Sequence, residues 1–122
     1  MRTLLGQKVP TEKIYADGVK GPGGTPPASS KDSPILLFGD SHCLAFHAGG
    51  DMHAKGCGFA DHLADQFSMP IEVIGVRGSG ATPSRASVRR SGSLKNKKLA
   101  IWCLSVREFT ESSGWSVFAL QK

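Results

Sequence analysis

The residues best suited to chemistry gather around one serine, Ser41 in Gly39-Asp40-Ser41-His42. It follows a short apolar run, Ile35-Leu36-Leu37-Phe38, and precedes Leu44, Phe46 and His47, which could begin a short helix. At a strand-to-helix turn a hydroxyl is exposed, and the backbone N–H groups of a helix N-terminus stabilise negative charge beside it. An acyl-transfer nucleophile needs both, an accessible oxygen and a nearby oxyanion hole. The same residues also suit a purely structural role, because Asp and Ser both cap helices well.

A serine nucleophile needs a base, usually a histidine oriented by a carboxylate. An Asp-x-His pair, Asp51-Met52-His53, comes 10 residues after Ser41, in a Gly-rich loop that could fold back over the site. His42 adjoins the serine, but a side chain in that position normally points elsewhere. His62, beside Asp61 in a helical pattern, is expected to face solvent or cap neighbouring groups. Residues 42–62 also hold His47, Cys43 and Cys57, a dense set of possible metal ligands. Zinc sites favour tight Cys or His pairs. Here the spacings are His42-x4-His47, His47-x5-His53 and two cysteines 14 apart, so no metal site and no cofactor are expected.

The elements that must position these groups are short. Ile35–Phe38, bounded by Pro34 and Gly39, reads as a strand buried on both faces. Phe59, Leu63 and Phe67 are spaced by four, which gives a helical apolar face that ends before Pro70. Ile71–Val76 is β-branched and reads as a second strand. Residues 83–91 open with Pro83, favoured at a first helical position, and read as a short basic helix. Leu99–Leu104 is the third apolar strand, and the tail beyond Glu108 has no clear period. Strands alternating with helices imply βαβ units and a parallel sheet, with its sites at the carboxyl ends of the strands. The loops leaving those ends are 39–43, 77–82 and 105–109, each with polar residues or glycines suited to a site. The prediction is an α/β fold with a small three-stranded, mostly parallel sheet, flanking helices and one open side.

Composition bounds the rest. One hundred and twenty-two residues suffice for one small domain, and 15 Gly with 7 Pro point to a loop-rich or partial one. Residues 1–33 read as an N-terminal extension with a weak strand candidate near Lys13–Tyr15 and a Gly/Pro-rich linker over 18–34. The net charge of +5 owes much to Arg85, Arg89, Arg90, Lys95, Lys97 and Lys98. Such a run could face nucleic acid or an anionic polymer. No aromatic residues are interleaved with it for base stacking, so a solvated connection is expected and no nucleic-acid partner. Cys43, Cys57 and Cys103 are odd in number, which argues against a disulfide framework. No apolar run approaches the ~18 residues of a membrane span, so no membrane partner is expected. The first ten residues carry neither an apolar stretch nor a small-residue cleavage site, so no secretion signal is read there.

Three segments in order resemble a known family. Pro34–Ser41 is similar to block I of the SGNH (GDSL-like) hydrolase superfamily, and Gly75-Val76-Arg77-Gly78-Ser79-Gly80-Ala81 falls where that superfamily has its second-block glycine. Leu99–Phe109 resembles the strand and Arg-Glu-aromatic segment of its alginate O-acetyltransferase-type branch, and the similarity covers roughly residues 33–116. The resemblance implies a partial flavodoxin-like SGNH domain over 34–122 and acyl-ester chemistry, carbohydrate O-acetyl transfer or deacetylation. It makes Ser41 the acylated residue. The backbone N–H groups of Ser41 and of Gly78 or Gly80 then form the oxyanion hole. Arg107 lies at the site rim or pairs with Glu108 or another carboxylate. Asp51 and His53 are the candidate acid/base pair. A carbohydrate or other acyl ester becomes the substrate, and the periplasm or cell envelope the compartment.

The departures are as informative. No Asp-x-x-His follows the serine, and the 40 residues before it contain no histidine. The third block carries Ser105 and Arg107 where ordinary members have Asn. The simplest expectation is a missing upstream half that would supply the base, leaving this chain inactive. The alternatives are a non-catalytic glycan-binding module or a truncated fragment, and the exposed edge of a half-domain would invite self-association.

Overall fold

In the computed structural model, which describes residues 2–4, 7–21, 24, 28–78 and 80–121, the apolar run after Pro34 is the central strand of the sheet. Three parallel strands form it: β3 (Ile35–Gly39), β4 (Glu72–Gly75) and β5 (Leu99–Cys103), in the order β4-β3-β5. The register sets Leu37 beside Val73 on one side and Ile101 on the other. Ahead of the sheet, β1 (Arg2–Leu4) and β2 (Gln7–Val9) make a small antiparallel hairpin. The expected strand near Lys13–Tyr15 is therefore absent from the fold: residues 10–21 have no regular structure, and Ile14 and Tyr15 are exposed.

Each face of β3 buries its own set of side chains. Ile35 and Leu37 pack with Ala60 and Ala64 of helix α1 (Phe59–Gln66) and with Ile71. Leu36 and Phe38 pack with Val88 of helix α2 (Ala81–Ser91), with Trp102 and with Ile74. The helices thus cover opposite faces, as doubly wound sheets require. The stripe that α1 buries differs from the expected one: Phe59 and Phe67 are exposed, and the small Ala60 and Ala64, one turn apart, meet the sheet. Asp61 explains why the helix begins where it does. Its buried carboxylate accepts the Gly58 N–H at 2.9 Å, which satisfies a free donor of the first turn, and lies 3.0 Å from His47 Nδ1.

The basic segment is only partly a solvated connection. Lys97 Nζ lies 2.7 Å from Glu72 Oε2, with both side chains almost fully buried, and it donates to the carbonyls of Lys31 and Ser33. Ser93 Oγ donates to the other Glu72 oxygen at 2.6 Å. This network ties the linker to β4. Arg85 lies over the rings of Trp102, Trp115 and Phe118 at 5.0–5.8 Å, and its guanidinium donates to Ser116 O, so the tail is bound against α2. The tail also holds a single helical turn, α3 (Arg107–Thr110), which its sequence pattern does not announce. No helix among the described residues is long and apolar enough to cross a membrane.

Candidate functional site

The chain leaves β3 toward β4 on one side of the sheet, and β5 is laid down on the other. The loops after β3 and β5 therefore diverge at the carboxyl end, where open α/β sheets form their binding crevices. A cavity of about 490 Å³ lies there, lined by Asp40, Ser41, His42, Gly78, Gly80, Ser105, Arg107 and Glu108. All three loops read from the sequence contribute to it. Ser41 is half-buried, Gly78 and Arg107 are exposed, and Gly80 is half-buried.

Asp40 organises the centre. The residue is 6% exposed, and its side chain accepts three hydrogen bonds: from Ser105 N at 2.8 Å, from His42 N at 2.9 Å, and from the His42 ring at Nδ1, 2.8 Å away. Burial pushes its carboxyl up. The bonds from Ser105 N and from the His42 backbone and ring outweigh that, so it lies below the ordinary carboxylate range. His42 is exposed at the cavity wall, with Nδ1 engaged. The proton on Nδ1 then faces Asp40, and Nε2 is left as the basic nitrogen.

This pair is the group that the sequence reasoning passed over, although its signal was present. Asp40-Ser41-His42 is itself an Asp-x-His that straddles the serine. The other pair, Asp51 and His53, does not line the cavity. Asp51 makes a 2.8 Å ion pair with Arg77, and the exposed His53 stacks on Phe46 with centroids 5.1 Å apart. Asp51 therefore faces a guanidinium instead of orienting His53. His62 is exposed, and among the described residues no group of three His, Cys, Asp or Glu is placed to hold a metal ion.

The helix expected after Ser41 is a single 3-10 turn, Ser41–Cys43, which gives little macrodipole. The longer dipole belongs to α2, whose N-cap is Gly80. Its first N–H already has an anion: Ala81 N donates to Glu108 Oε2 at 2.8 Å. A Cβ on Gly80 would collide with that carboxylate, which gives a glycine there a physical reason. Arg107 lines the cavity and lies 3.8 Å from Glu111. A second cavity, about 360 Å³, shares Gly80, Arg107 and Glu108 with the first and is walled by Trp115. Beneath the serine turn, burial pushes the Cys43 thiol well up, the neighbouring Cys103 adding to it, so it is a protonated core group and not a nucleophile. No protein-family model, no curated protein and no solved structure matches this chain, so the site stands on its own geometry.

Proposed function

We propose that this chain carries out serine acyl-ester chemistry at Ser41, the removal or transfer of a small acyl group such as acetyl on a hydroxyl-rich acceptor such as a polysaccharide. The observation that carries the reading is the Asp40–His42 hydrogen bond on the wall of the cavity that also holds Ser41, Gly78 and Gly80. Serine, imidazole and a buried carboxylate thereby share one cavity, and the carboxylate fixes which ring nitrogen is basic. His42 Nε2 takes the Ser41 proton as Oγ attacks the ester carbonyl. Backbone N–H groups at Ser41 and at Gly78 or Gly80 receive the oxyanion. The imidazolium, stabilised by Asp40, returns the proton to the departing alkoxide and leaves acyl-Ser41. Water or an acceptor hydroxyl then attacks, with His42 again taking the proton. The resemblance of the three motif segments to SGNH enzymes supports the same assignment, with Arg107 at the rim.

One observation favours a second reading, binding without turnover. Glu108 places a carboxylate on the first N–H of α2, inside the same cavity, where it opposes a developing oxyanion. Hydrolysis of p-nitrophenyl acetate by the wild type, Ser41→Ala and His42→Gln separates the two. The proposal expects Ser41→Ala to fall to background and His42→Gln to lose roughly 10²-fold or more in kcat. Asp51→Ala and His53→Ala should keep the wild-type rate. Equal rates for the wild type and Ser41→Ala would give the site to the binding reading.

A further inference from the structure

The outer edge of β5 has defined chemistry. Leu99 N–H donates to Pro34 O at 3.2 Å, and Cys103 O accepts Asp40 N at 3.3 Å, so residues 99 and 103 direct their backbone groups toward β3. Backbone direction alternates along a strand. Residue 101 therefore also faces β3, and the N–H and C=O groups of Ala100 and Trp102 face outward. No strand among the described residues pairs with them. The strand's faces are incompletely covered too: Leu99 is 41% exposed and Ala100 is exposed, although parallel sheets are normally covered on both faces.

We propose that β5 pairs antiparallel with β5 of a second copy of this chain, in the register that sets Ala100 opposite Trp102. Three features select this occupant. The two outward residues of each copy meet as hydrogen-bonded pairs, giving about four backbone bonds around a two-fold axis at Ile101. The side chains match by size: the small Ala100 faces the large Trp102, and the half-exposed Leu99 faces Cys103 on the α1 side. Charge selects the direction. Antiparallel pairing keeps the exposed Lys95 and Lys98 at the start of β5 away from their copies, with Lys98 opposite Leu104 and Lys95 opposite Arg107, which itself lies 3.8 Å from Glu111, whereas parallel pairing would set the lysines together. The dimer would be a continuous six-stranded sheet, with its two serine cavities at opposite ends and Lys98 of each copy next to the Ser105 segment of the other.

Sedimentation velocity of the full chain over a wide dilution series tests this. The wild type should show a concentration-dependent dimer. Ala100→Pro removes an outward N–H, and Leu99→Lys sets a charge on the joined face; both should be monomeric with unchanged circular dichroism. Should a variant unfold, the register is tested independently by Ile101→Cys. The two copies' residues 101 form a non-hydrogen-bonded pair with Cα atoms about 4.5 Å apart, within disulfide reach, so mild oxidation should give a covalent dimer that the wild type does not form. A wild type monomeric at every concentration, a dimer that survives both edge variants in folded form, or a dimer that Ile101→Cys does not cross-link would each overturn the proposal.

Discussion

Asp40 does two jobs with one carboxylate: it closes the gap between the loops after β3 and β5, and it orients His42. Its folded-state acidity is greater than that of the free side chain, so the stability it contributes is present above the ordinary value near 4. That contribution is lost as pH falls through its lower folded value. Asp40→Asn should cost about 1–3 kcal/mol at neutral pH, and the difference from wild type should shrink below about pH 4. Urea unfolding across that range measures it. His42→Gln removes the ring bond alone and should leave most of that stability. Ser41, Gly78, Gly80 and Arg107 could be placed near one site from sequence because each follows the end of an apolar strand. The orientation of His42 could not be read, because its direction depends on Asp40 being held by the N–H of Ser105, 65 residues away.

Among the elements, the three strands of the parallel sheet were legible because each is an apolar run bounded by Pro, Gly or charge. The α1 stripe was misjudged because side-chain size says little about which helical face approaches a sheet; Ala60 and Ala64 allow close contact, and the two phenylalanines stand aside. Charge misled in the same way at β4 and the loop before β5. Lys97 reads as one of several exposed cations, yet the fold buries it against Glu72. Removing one partner of such a pair leaves a lone buried charge, whereas removing both leaves an apolar contact. Glu72→Leu alone and Lys97→Met alone should each cost about 3–5 kcal/mol, and the double variant should recover most of the loss. A double-mutant cycle by urea unfolding gives the coupling. The hairpin β1–β2 escaped the sequence reading because Arg2–Leu4 and Gln7–Val9 offer too few apolar residues for a period to emerge.

At the scale of the molecule, the fold class followed from the alternation of strands and helices, while the docking of the tail did not, since it depends on Arg85 meeting aromatic rings from β5 and from beyond α3. If β5 joins two copies, association and folding are linked, and the thermal midpoint should rise with protein concentration. The tail's attachment has an optical consequence of its own. Trp102 on the sheet and Trp115 on the tail lie with ring centroids 5.4 Å apart and planes tilted by 58°. Two indoles so close and so inclined act as coupled chromophores and should give the folded chain an exciton couplet in its ultraviolet circular dichroism. Trp115→Phe should abolish the couplet, and Arg85→Met should weaken it, while α2 and the sheet keep their signal; the two tryptophans thus serve as a built-in gauge of whether the end of the chain is seated.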